Sequence, residues 1–164
     1  MITVRRAAEA DAGQMASLLN EIIKIGGTTA IVRPVIREDL ADWMAQNADH
    51  SAWHIASDAA GKVVGFQWVA PNSTLPPDAA DIATFVQIGQ NGLGIGSALF
   101  EATKAAARTL GYSWINANIR ADNEGGLIYY QSRGFQDYGV IDGYTLSDGQ
   151  VVDKRLKRFD LSLT

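Results

Sequence analysis

The sequence predicts a mixed α/β fold, and three observations carry the prediction. Residues 84–88, TFVQI, form an apolar strand-like run that passes into GQNGLGIG, a turn with four glycines, and then into an alanine-rich helical pattern. A second strand-like run, SWINANI, leads into a short helical stretch that ends at Gly134-Phe135. Around this unit the apolar spacing switches between the periods of strand and helix in the order β-α-α-β-β-β-α-β-α-β-β. That order places seven strands and four helices in a single domain spanning residues 1–164.

Each element has its own signal. Ile2 and Val4 alternate with polar neighbours as a short first strand. From Asp11, a plausible N-cap, Met15, Leu18, Leu19, Ile22 and Ile23 recur at helical spacing until Gly26-Gly27 stop the pattern. A second helix buries Ile36, Leu40, Trp43 and Met44. The runs AWHIASD and KVVGFQWVA flank Ala59-Ala60-Gly61 as a hairpin. After a loop with three prolines, Ile82 to Val86 are nearly all apolar, which predicts a central strand buried on both faces. The next helix places Ile95, Ala98, Leu99, Ala102 and Ala106 on one face. The chain closes with two antiparallel strands around Asp148-Gly149, the basic run KRLKR lying on the outer face of the last.

Composition narrows the function classes. The net charge is −4 and no dense Lys/Arg cluster occurs, so nothing points to nucleic acid. Cysteine is absent, which excludes disulfides, thiol nucleophiles and thiolate metal sites. His50 and His54 lie four apart without an acid to complete a ligand set, so no metal site is assigned. No apolar stretch has the length of a signal peptide or membrane span, which points to the cytoplasm.

The glycine turn is the informative feature. Glycines at a strand-to-helix junction let backbone N–H groups and the helix dipole close on a phosphate, although they also serve simple tight turns. A Walker loop is excluded because Gly96 is followed by Ser97-Ala98 rather than Lys-Ser/Thr. A dinucleotide fingerprint is excluded because Ser97 stands at its third glycine and Asn116 and Asn118 stand near its acid. These spacings also remove a nucleotide-binding dehydrogenase.

Two spaced motifs fit a different pattern. Asn91-Gly92-Leu93-Gly94-Ile95-Gly96, followed by Asn123, Gly126, Tyr130, Gly134 and Phe135, resembles the acyl-coenzyme A core of the GNAT N-acetyltransferases. That signature reads Gln/Arg-x-x-Gly-x-Gly/Ala and then Asn-x-x-Ala-x-x-x-Tyr-x-x-x-Gly-Phe. Asn91 replaces the usual Gln/Arg, and Gly126 the usual Ala. The stretches NEIIKIGGTT, IVRPVIREDLADWM and GYTLSDGQVVDKRLKRFDL look closest to the phosphinothricin acetyltransferase-like branch.

The resemblance implies a GNAT-type, mostly antiparallel sheet of six to seven strands flanked by about four helices. It implies acetyl-CoA as donor, a small-molecule primary amine as acceptor, such as an amino acid or amino-acid-like compound, and compatibility with a homodimer. A non-catalytic acyl-CoA sensor is the competing reading. By the same resemblance, Gly92, Leu93, Gly94, Ile95, Gly96 and Ser97 cradle the diphosphate, and Asn91 stands at the diphosphate-contact position. Phe85 and Val86 exchange amide hydrogen bonds with pantetheine, a Val86-region N–H meets the oxyanion, and Asn123 holds the pantetheine arm or caps its helix.

Tyr130 is placed as the acid for the leaving thiolate, since a phenol near pKa ~10 suits that group; otherwise it is a half-buried helix aromatic. Asp81 stands at the branch's base position, with Asp78 as the alternative and a solvated loop carboxylate as the plain reading of either. Acceptor contacts fall to Thr28, Thr29, Arg33, Trp68 and Tyr144. Arg33 either grips a carboxylate in bidentate fashion or is simply exposed.

Overall fold

The computed structural model describes residues 1–89 and 94–161, and its elements follow the expected order. Seven strands are β1 Thr3–Arg6, β2 Ala52–Ser57, β3 Val63–Ala70, β4 Ala79–Val86, β5 Trp114–Arg120, β6 Gln136–Thr145 and β7 Val151–Asp160. The helices are α1 Ala12–Ile25, α2 Arg37–Ala45, α3 Ile95–Thr109 and α4 Glu124–Ser132. One sheet runs β1-β2-β3-β4-β5-β7-β6. Only β4 and β5 pair in parallel, because α3 carries the chain back between them, whereas the other neighbours pair antiparallel.

Alternation along the strands divides the core between the two faces. On one face α1 and α2 bring Met15, Leu19 and Leu40 against Trp53, Ile55, Phe66 and Phe85. On the other, Phe100 of α3 and Tyr130 of α4 pack with Ile82, Ile115 and Phe135. No helix among the described residues is long and apolar enough to cross a membrane.

Several local expectations are corrected. Asp11 does not cap α1 through its side chain; its carboxylate turns back to accept from Ala8 N–H at 2.7 Å and to pair with Arg5 at 2.8 Å. Ile36 is 60% exposed, because it stands one residue before α2 begins. The buried stripe of α3 is Ile95, Leu99, Thr103 and Ala107, spaced by fours, with Phe100 beside it, so Ala98, Ala102 and Ala106 lie at its margins. In KRLKR the lysines are not outward: Lys154 and Lys157 are both buried, because β7 lies inside the sheet and β6 forms the edge.

The largest correction concerns β4, which starts at Ala79 and buries only part of its length. Its pairing with β5 consists of Ala79–Trp114, Ala80–Ile115 and Asp81–Asn116. Beyond that point β4 follows β3 as far as Val86, while β5 follows β7 as far as Arg120. The strands are drawn apart by their outer partners, and Ala83, Thr84 and Val86 are left partly exposed.

Two predictions arise from this packing. The Asn123 side chain accepts from Gly126 N–H at 3.0 Å and donates to Thr28 C=O at 3.0 Å, tying α4 to the α1–α2 connection. A Cβ at Gly126 would stand 2.4 Å from Asn123 Nδ2, which accounts for the glycine where an alanine is usual. Gly126→Ala would add about 1 kcal/mol in an unconstrained helix. Here it should instead leave urea stability unchanged or lower it by about 1 kcal/mol through loss of the cap; a full gain would show that Asn123 moves aside freely.

His54, 6% exposed on β2, has its imidazole pKa lowered to about 4 by burial, with Arg6 adding repulsion. Below the ordinary value of 6.5 the unfolded chain takes a proton that the folded chain refuses until about 4. Acid therefore favours unfolding in that window. The melting temperature should fall more steeply from neutral to acidic pH in the wild type than in His54→Gln. Equal slopes would mean that His54 is protonated in place.

Candidate active site

Of the residues singled out from the sequence, Asp81, Val86 and Tyr130 border the gap between β4 and β5. Successive residues of a strand direct their N–H and C=O groups to opposite edges. Gln87 N–H donates to Val64 C=O on β3, so the backbone groups of Val86, Thr84 and Ile82 face the gap. Phe85 is different: its carbonyl lies toward Gly65 on β3 and its ring joins the core, so it is not brought to the opening.

Asp81 ends the paired part of β4. Its Oδ1 accepts from Asn116 Nδ2 at 2.9 Å, and its Oδ2 accepts from Asn72 Nδ2 at 3.2 Å. Tyr138 in turn donates to Asn116 Oδ1, which fixes the amide's orientation. Burial raises the Asp81 pKa above the usual carboxylate range, and the two amides and the Lys154 charge oppose that shift only in part. A carboxylate so placed is a stronger base than one in water.

Tyr130 approaches from the opposite face. Its hydroxyl lies 2.7 Å from Thr84 Oγ1, beside the part of β4 that has left β5. Burial pushes the phenol well above its ordinary range despite the Thr84 hydrogen bond. It therefore stays protonated across the working pH range. Tyr129 beside it donates to Gly96 C=O at 2.7 Å, and burial pushes its phenol up to about 12.

At the start of α3, Gly94 has φ +73°, a conformation natural to glycine, and a Cβ there would meet nothing within 4 Å. Gly96 is required for another reason, since a Cβ would stand 2.6 Å from the Tyr129 ring. Ile95 is buried, and Ser97 Oγ accepts from Arg133 Nη1 at 2.6 Å. The first turn of α3, whose N–H groups have no partner within the helix itself, and the Arg133 guanidinium thus stand together, a setting for an anion. Asn91, Gly92 and Leu93 lie outside the described residues.

The acceptor-side residues scatter more widely. Thr29 C=O accepts from the buried Arg120 at 3.0 Å, and Arg33 donates to Ser147 C=O at 3.0 Å, so both tie loops together. Trp68 lies in an aromatic stack, parallel to Trp53 with centroids 4.0 Å apart. Tyr144, 44% exposed, carries the Lys154 ammonium 3.6 Å from its ring centroid. Asp78 contributes its C=O to Ser113 N–H.

Sequence reasoning missed Asn72, Gln67, Thr84, Asn116, Tyr138 and Lys154. The period-two rule, once Asp81 and Tyr130 are fixed, would have put Asn116 beside Asp81 only if the parallel register had been known. Lys154 looked like a surface charge because its strand was taken for an outer one. It is 7% exposed and, unlike buried Arg120 and Lys157, has no carboxylate within salt-bridge distance among the described residues.

The description "Acetyltransferase (GNAT) family" belongs to a family model that matches residues 20–135. A protein of Bacillus subtilis (strain 168) named as a candidate phosphinothricin acetyltransferase, YwnH, is 25% identical over 98% of this chain and 100% of its own length. Among solved structures, the yncA protein of Salmonella typhimurium, a candidate acetyltransferase with acetyl-CoA, superposes with a TM-score of 0.86 at 18% identity, covering 99% of this chain and 95% of the other. A phosphinothricin acetyltransferase (Pat) of Sinorhizobium meliloti in complex with AcCoA gives 0.85 at 20% identity, covering 97% and 88%. That family match covers more than half of the sequence, and the chain belongs to the acetyltransferase (GNAT) family.

Proposed function

We propose that this chain transfers an acetyl group from acetyl-CoA to the primary amine of a small molecule, an amino acid or amino-acid-like compound. The observation that carries the reading is the fork, where an open strand edge lies between a half-buried acid on one face and a buried phenol on the other. An extended amide-bearing arm fits that edge, and the α3 N-terminus with Gly94 and Arg133 fits a diphosphate. When bound, acetyl-CoA supplies the activated acyl carbon and a thiol leaving group.

The protein's own groups then have separate tasks. Asp81, held by Asn116 and Asn72, takes a proton from the acceptor ammonium, directly or through water. The Val86 N–H faces the gap and is the donor placed to meet an oxyanion. Tyr130 gives its hydroxyl proton to the departing sulfur. Lys154, a buried cation with an aromatic face on one side and no ion-pair partner, supports an acceptor with an anionic end, and does so better than Arg33. Trp68, Thr29 and Tyr144 contribute walls around it.

Acetyl-CoA should raise the melting temperature by binding the folded state, and NAD or ATP should do so much less. Thiol release over a panel of amino acids, polyamines and aminoglycosides should be greatest with an amino acid. Stabilisation by acetyl-CoA with no thiol released from any amine would make the chain a sensor.

The pH profile should carry an acidic limb, because the rate is lost as Asp81 is protonated. That limb lies above the usual carboxylate range, since burial raises this pKa. Asp81→Asn should lower kcat by roughly 10²-fold, the lower end for general acid–base catalysis, and flatten the limb. An Asp81→Asn enzyme with wild-type kcat would remove Asp81 as base. The phenol of Tyr130 is held too high to add an alkaline limb.

A further inference from the structure

A phenol that acts as acid must direct its hydrogen into the gap, and its neighbours decide whether it does. Gln67 is fully buried on β3. Its side-chain nitrogen lies 2.8 Å from Thr84 Oγ1 and 3.0 Å from the Tyr129 hydroxyl. Tyr129 spends its one hydrogen on Gly96 C=O at 2.7 Å, so toward Gln67 its oxygen can only accept. The Gln67 atom facing it is therefore the NH2 group. The same nitrogen donates to Thr84, whose own hydrogen is left for Tyr130 at 2.7 Å.

Tyr130 then accepts from Thr84 and keeps its hydrogen for the gap. The opposite amide orientation would set an oxygen against Tyr129, leave both NH2 hydrogens without acceptors, and draw the Thr84 hydrogen toward Gln67. Tyr130 would then point its hydrogen inward. The orientation that holds leaves Gln67 Oε1 without a partner, a cost of roughly 1–3 kcal/mol for a buried acceptor. A wholly apolar pair at these two positions would avoid that cost.

We infer that Thr84 and Gln67 are positioning residues, a buried hydrogen-bond relay that aims the Tyr130 hydrogen at the leaving sulfur and stabilises the phenolate left behind. The inference rests on the proposed acid role of Tyr130. In the step it serves, the amine nitrogen bonds to the acyl carbon and the carbon–sulfur bond breaks, its electron pair passing to sulfur. Sulfur takes the Tyr130 proton. The ammonium sheds its first proton to solvent by way of Asp81 before it attacks. The second, released as the carbon–nitrogen bond forms, passes to Asp81 and returns through solvent to Tyr130, whose phenolate meanwhile accepts from the Thr84 O–H.

The test compares Thr84→Val, Thr84→Ser, Tyr130→Phe and the double variant Thr84→Val/Tyr130→Phe. Thr84→Val keeps the shape and should lower kcat roughly 10-fold or more, the scale of a hydrogen bond to a charged group. The KM for acetyl-CoA should not change, and Thr84→Ser should recover most of the rate. In the Tyr130→Phe background, Thr84→Val should cost nothing further. A second readout needs no turnover: the thiolate absorbance of bound coenzyme A should appear at lower pH in the wild type than in Thr84→Val or Tyr130→Phe. Wild-type kcat in Thr84→Val with loss in Tyr130→Phe would overturn the relay alone, as would an undiminished Thr84→Val effect in the double variant. Wild-type kcat in Tyr130→Phe would overturn the acid and the relay together.

Discussion

The parting of β4 from β5 is the constraint on which the rest of this structure depends. A parallel pair joined through a helix would ordinarily continue its ladder for the length of the shorter strand. Here it stops at Asp81–Asn116 because each strand remains faithful to its antiparallel partner, β3 on one side and β7 on the other. The open edge is thus a by-product of two strong pairings that diverge. Its exposed backbone groups are tolerated only where something extended can satisfy them.

The fork also explains why the proposed acid and the proposed base are separated by a sheet. Asp81 and Thr84 are three residues apart on one strand, so their side chains leave opposite faces. Each face then shields its own group, and each burial shifts a proton affinity in the direction the proposed role needs: the carboxyl becomes a better base, and the phenol keeps its proton. A single alternating strand supplies both environments.

Much of this was legible in the sequence for definite reasons. The element order could be read because helix and strand periods differ, and Gly94, Gly96, Asn123 and Tyr130 because their spacing resembles a family motif, with Gly96 also required where a Cβ would meet the Tyr129 ring. What could not be read depended on pairing across long stretches of chain. Asn116 reaches Asp81 only through the parallel register, and Lys154 is buried only because β7 enters the sheet between β5 and β6. Asn123 looked like a ligand contact or a cap, and the fold shows a cap that also binds Thr28, a contact 95 residues away. Gly126, which has no explanation in helix propensity, is explained by that contact.

Charge burial follows the same logic. Arg120 reaches Asp122 and Thr29 C=O, and Lys157 reaches Asp137, so each buried cation on these strands is neutralised locally. Lys154 is the exception among them: the Tyr144 ring offers a quadrupole rather than a counter-charge, and burial lowers its pKa while Asp81 draws it back up. Among the described residues Asp81 and Lys154 feel each other's charge without closing into a salt bridge. Under the proposed function, an acceptor bearing both an ammonium and an anion would complement the two groups at once, which neither a neutral amine nor a polyamine can do.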